Sequence, residues 1–254
     1  MSRNERWEVG ERPSLDIRLP VGTVEVYVGD AGVVQLTIDA GDADKFEIFK
    51  TGDRISVRHP SRWGRGGRNS RVVAHVPPRT DVELSSTSGD VRLAGSLGVV
   101  RVHTTSGQIE VGDAARLDIS TASGDLSCGD IAGDAHVSSI SGDCTLRRVG
   151  GLEATLTSGD LRLDLCDGDM SVVSTSGDVR VGHCGGSDIA VRSISGDVRV
   201  GLPAGIRVDA EISTLSGRAT LPDPAPASDH VDRRPVRLHL KTVSGDIRVE
   251  RTHS

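Results

Sequence analysis

Aromatic side chains are almost absent. Trp, Tyr and Phe make up 2% of the 254 residues, and all five (Trp7, Tyr27, Phe46, Phe49 and Trp63) fall in the first quarter. The rest of the interior has to be built from Val, Leu, Ile, Ala and small residues, which suits a narrow core. No apolar run approaches the ~20 residues of a spanning helix, and the segment from Met1 to Gly10 is charged and has no apolar signal core. The expectation is a cytoplasmic protein without membrane insertion. The net charge of −6 removes any global attraction to polyanions, so nucleic acid is not an expected partner. Cys128, Cys144, Cys166 and Cys184 form no C-x-x-C pair, and four cysteines in this length do not make a disulfide framework. They are expected as reduced, buried thiols. Phosphate loops, G-x-S-x-G and dinucleotide fingerprints are all missing, so no catalytic residue, metal or cofactor is assigned.

What the sequence has in quantity is a repeat. Ser-Gly-Asp recurs at Gly89, Gly124, Gly142, Gly159, Gly177, Gly196 and Gly245, with near-copies at Gly107 and Gly217. The nine glycines are spaced 18, 17, 18, 17, 18, 19, 21 and 28 residues apart. Two and four residues after each glycine stand apolar side chains, as in Leu161 and Leu163 or Val179 and Val181, separated by polar ones. Five and seven residues before it stand another apolar pair, such as Val172 and Met170. Both are strand alternations, and their inward phase flips at the glycine. The glycine therefore marks a corner, where φ > 0 costs it little and Ser or Asp accepts local N–H groups.

One coil of two strands cannot bury its own apolar residues, but stacked coils at the ~4.8 Å interstrand spacing can. The expected fold is all-β: a single-chain β-solenoid with 17–18-residue coils over residues 81–254. Residues 1–80 follow the plan loosely and are expected as an irregular β-rich N-terminal cap continuous with the rod. Within it Val21-Gly22-Thr23 and Thr51-Gly52-Asp53 look like further corners. Two excursions, the Arg/Gly-rich stretch from Ser61 to Arg71 and the Pro-rich stretch from Pro222 to Pro235, read as exposed loops.

On these repeats the chain resembles a bacterial family of β-strand-repeat proteins of unknown function, labelled putative adhesins, whose hallmark is a reiterated Ser-Gly-Asp followed by a strand. The resemblance covers most of the chain. It implies the architecture and says little about activity; some members are envelope-attached, whereas no export signal or membrane helix is evident in this sequence.

Candidate sites are few. Stacked corners bring Asp90, Asp125, Asp143, Asp160, Asp178 and Asp197 to one edge, an arrangement open to calcium. The spacing matches neither a nonapeptide β-roll nor an EF-hand loop. Arg92, Arg162, Arg180, Arg199 and Arg248, each two residues after an Asp, point instead to structural charge pairing. Asp164, Asp167 and Asp169 cluster as glycosidase carboxylates would, which keeps a carbohydrate-binding or carbohydrate-active β-helix as an alternative. Arg62, Arg65, Arg68 and Arg71 beside Trp63 form the one concentrated basic patch, a second alternative in which the chain is a regulatory binding module. At the far end, Ile247 and Val249 belong to the last coil and have no capping helix after them, which points to self-association, most simply as a homodimer. The leading expectation is a non-enzymatic scaffold that presents a rigid surface to a protein partner or to itself.

Overall fold

The computed structural model describes residues 2–59, 70–222 and 235–252. Among these the chain forms 21 strands and a single 3-10 helix, Ala43–Lys45, so the fold is all-β and solenoid-like. It divides into two compact units, Met1–Gly129 and Asp130–Ser254.

In the second unit the repeat is drawn most regularly. The Cys144–Ser158 strand supplies one leg to each of two sheets: its first half pairs in parallel with Leu161–Cys166, its second half with Met170–Ser176. Those strands pair with Val179–Cys184 and Asp188–Ser195, and Val179–Cys184 pairs with Val198–Pro203. Register follows the repeat, so Leu161, Val179, Val198 and Ile247 stack in one inward row and Met170, Ile189 and Leu238 in another. Every one of these side chains is at most 2% exposed. A fully buried aliphatic side chain contributes ~1.5–3 kcal/mol, and each coil places several in the column. Stacking therefore holds the fold together, not any contact within a coil.

The order of coils in space departs from their order in the sequence. The last coil, Val236–Ser244 with Ile247–Thr252, lies against Asp188–Ser195 and Val198–Pro203 on one side and against Val208–Ser216 and Ala219–Thr220 on the other. The outermost described coil of this unit is thus Val208–Thr220, and the final strand is interior.

A similar exchange occurs in the first unit. Ser14–Val21 and Thr23–Val28 sit between Asp81–Ser88 and Val91–Ser106 on one side and Arg54–Arg58 and Arg71–Val76 on the other. Beyond them the sheets continue antiparallel, through Glu47–Thr51 on one and Val33–Asp39 followed by Ser2–Glu8 on the other. Gly22, with φ +136°, is a corner under Gly89. Gly52 does not make one; it turns the hairpin between Glu47–Thr51 and Arg54–Arg58. In this unit Phe46 packs edge-on against His59 at 4.8 Å and Tyr27 stacks on His75 at 5.6 Å.

Candidate functional site

The corner column is the most regular feature. All nine repeat glycines have φ between +114° and +153°, which favours glycine over any residue bearing a Cβ. Space repeats the demand: a Cβ on Gly177 would lie 2.2 Å from the carbonyl oxygen of Gly159. The aspartates beside them form a hydrogen-bonded ladder. Asp160 Oδ1 accepts the N–H of Asp178 at 2.9 Å, Asp178 Oδ1 that of Asp197 at 2.8 Å, Asp197 Oδ1 that of Asp246 at 2.9 Å, and Asp246 Oδ1 that of Arg218 at 2.8 Å. In the first unit Asp90 does the same for Gln108. One oxygen of each of these carboxylates is thus engaged with a backbone amide, which gives the aspartates a structural role at the corner.

The arginine row runs alongside. Arg180 reaches Asp160 at 3.0 Å and also binds Asp178, and Arg162 reaches Asp164 at 3.3 Å. Chiefly the N–H of Asp178, and then the Arg180 guanidinium, hold the Asp160 carboxyl below the usual carboxylate range against the opposing effect of burial. A carboxylate with a depressed folded pKa contributes stability that is present above its unfolded pKa and is lost as pH falls through the folded value. Comparing wild type with Asp160→Asn should therefore show a stability gap at pH 7 that closes as pH falls below ~4, the ordinary Asp range. Urea unfolding midpoints across that range measure it; a gap independent of pH would rule out a role for the charge.

Between the arginines lies a shallow groove of about 220 Å³, with Gly182 and Gly201 in its floor and Arg162, Arg180, Arg199 and Glu250 around it. Two of its three arginines are already matched by carboxylates, so it is not a free anion cradle. The acidic cluster does not converge either. Asp164 pairs with Arg162, Asp167 takes two bonds from Arg148 at 2.8 and 3.2 Å, and Asp169 accepts the N–H groups of Ser187 and Asp188. Each carboxylate serves a different neighbour.

Of the basic patch, Arg62, Trp63, Arg65 and Arg68 lie outside the described residues. Arg71 is committed elsewhere: its guanidinium grips both oxygens of Glu25 at 2.7 and 2.8 Å and, by that hydrogen bonding, lowers the Glu25 carboxyl below its ordinary range. Ile247 and Val249 are 0% and 2% exposed, covered on the side away from Val198 by the Val208–Thr220 coil. They offer no surface; the exposed strand is the one that covers them. Cys166 and Cys184 are stacked neighbours, both fully buried, and hydrogen bonding to the Cys184 sulfur together with burial pushes the Cys166 thiol up.

Two features were not singled out from the sequence. A hydroxyl three residues before the corner glycine points inward in most coils, and those of Thr104, Thr121, Ser139 and Thr242 bond to the carbonyl two residues on, at 3.2–3.4 Å. The fixed offset was the available signal. Two residues before the glycine, on the outward face, Ile194, Val243 and Leu215 stack in register as an exposed apolar row, being 55%, 47% and 85% exposed. Arg192 and Lys241 stand beside it in the adjacent outward row.

The profile described as Toastrack DUF4097 matches residues 14–250. The chain belongs to this family. Its fold recurs in the structure of a putative adhesin from Parabacteroides distasonis ATCC 8503, with a TM-score of 0.56 and 10% identity over 98% of this chain and 97% of that one. A putative adhesin from Bacteroides fragilis NCTC 9343 gives 0.52 and 11% over 99% and 97%. At such identity the likeness is one of fold alone. No curated protein matches the sequence. Toastrack membership accounts for the stacked β architecture and leaves the site to be read from this chain's own residues.

Proposed function

We propose that this Toastrack chain is a non-enzymatic binding scaffold that engages a protein partner or a second copy of itself through extended faces of the solenoid. One observation carries the reading. Most polar groups that could do chemistry at the corner, groove and acidic cluster are paired with neighbours on the same strand or one coil away, while among the described residues the Ile194–Val243–Leu215 row is exposed. An adhesin-like role fits the names of the two structural neighbours.

The test is capture of partners from the native host by wild type and by the double variant Ile194→Lys, Val243→Lys. Both residues are about half exposed, so folding should survive. Specific capture that is lost in the double variant supports the reading. Capture abolished by soluble acidic polysaccharide but not by the substitutions would favour a carbohydrate partner instead.

A further inference from the structure

Resting on the scaffold reading, we infer that the Val208–Thr220 coil is a self-association surface, on which a second copy adds its own Val208–Ser216 strand antiparallel across a two-fold axis at Ile212. One side of Val208–Ser216 pairs with Val236–Ser244; among the described residues the other side has no strand partner. Val208, Ala210 and Ile212 stand over Val236, Leu238 and Leu240, which are 3%, 0% and 0% exposed. Ala210 is exposed and Ile212 half-buried, while on the other sheet Ala219 is exposed above the fully buried Ile247 and Leu221 is 52% exposed. Among the described residues the apolar column and the backbone ladder both stop at this coil, the condition under which an edge recruits another strand.

The edge strand of the first unit shows how such an end is protected. Ser2–Glu8 carries Arg3 and Glu5 in register with the buried Ile38 and Leu36, on the row that faces the interior. They pair at 3.0 Å, and Arg3 also donates to the Phe46 carbonyl at 2.9 Å. Inward charges of this kind block a further strand. The interior row of Val208–Ser216 holds none.

The corner selects the occupant. Along this part of the repeat an Asp accepts the next coil's amide, and the series ends when Asp246 accepts the N–H of Arg218. Arg218 has no carboxylate to offer, so another parallel coil would lose its corner bond. A two-fold axis normal to the sheet at the Val208–Ser216 edge instead continues that ladder with an antiparallel strand. Centred on Ile212, it sets Ile212 against Ile212, Glu211 against Ser213 and Asp209 against Leu215. Centred one residue earlier it would set Glu211 against Glu211, which like-charge repulsion disfavours. A two-fold contact closes on itself and stops at two copies.

Sedimentation velocity of the full chain over a concentration series tests this. Wild type should pass from monomer to dimer with no larger species. Ile212→Lys should be monomeric throughout, with an unchanged circular dichroism spectrum. Ser213→Glu, which faces Glu211 across the axis, should weaken the dimer about tenfold or more, whereas Ser213→Lys should tighten it in a salt-sensitive way. A wild-type monomer at every concentration, species beyond the dimer, or a dimer that ignores both Ile212→Lys and Ser213→Glu would overturn the assignment. A monomer that still captures partners through the Ile194–Val243–Leu215 row would sink the dimer alone and leave the scaffold reading in place.

Discussion

Replacing Gly177 by valine is expected to lower the melting temperature by roughly 10 °C, whereas Arg180→Ala should lower it by a few degrees at most. Gly177 has φ +120° and would direct a Cβ to within 2.2 Å of the Gly159 carbonyl. Positive φ costs an L-residue ~1–2 kcal/mol, and forcing atoms into a filled site adds about 1–3 kcal/mol. At ~2–4 °C per kcal/mol for a domain of this size, the two together give the larger shift. The Gly159 carbonyl is itself part of the stacked corner, so it cannot retreat without disturbing the next glycine. Arg180 is partly exposed and shares its charge with two aspartates, a setting worth ~1 kcal/mol or less. Thermal melts followed by circular dichroism decide the matter, and equal melting temperatures for the two variants would refute the corner assignment.

The fold was legible because two independent signals agree at each coil. Alternation on either side of Gly159 or Gly177 identifies strands, and the phase flip at the glycine identifies a turn that only a solenoid repeats at fixed spacing. What alternation does not encode is which coil lies beside which. Val198, Ile247 and Ala219 all have the same local pattern, and any stacking order would bury the same kind of face. The order shows only in the pairing: Val236–Ser244 lies between Asp188–Ser195 and Val208–Ser216. For the same reason Gly52, preceded and followed by strand-like residues, reads as a corner until its partner strand is known to be antiparallel.

The charged residues were less legible than the apolar ones. Asp164, Asp167 and Asp169 are adjacent in sequence, yet strand geometry sends them to Arg162, Arg148 and two backbone amides respectively. Arg71 belongs to a basic stretch but answers to Glu25, its neighbour across a strand pair that no local pattern reveals. In a solenoid many of the relevant neighbours are one coil away, as for Asp167 and Asp169, so charge clusters along the chain are poor guides to charge clusters in space. Apolar rows suffer less, because the repeat carries the same row to every coil. The exposed row two residues before the glycine could have been found in that way, since Ile140, Ile194, Val243 and Leu215 share one offset.

The spatial order of the last two coils has its own consequence for stability, and the expected result is the second large effect. Ile247→Asp should destabilise the second unit by about 5 kcal/mol or more, whereas Ala219→Asp, one coil outward in the same register, should cost no more than ~1 kcal/mol. Ile247 is fully buried between Val198 and Ala219. Removing a buried isoleucine side chain costs ~2–5 kcal/mol, and the carboxylate that replaces it has no buried partner, which adds several kcal/mol or forces the group to take up a proton. Ala219 is exposed, so a carboxylate there keeps its water. Were the chain stacked in sequence order, the ranking would reverse: Ala219 would be interior and Ile247 would form the end of the column. Urea melts of both variants, at a concentration low enough to keep the chain monomeric, distinguish the two orders. A milder effect for Ile247→Asp than for Ala219→Asp would exclude the inserted coil and, with it, the assignment of Val208–Thr220 as the free edge.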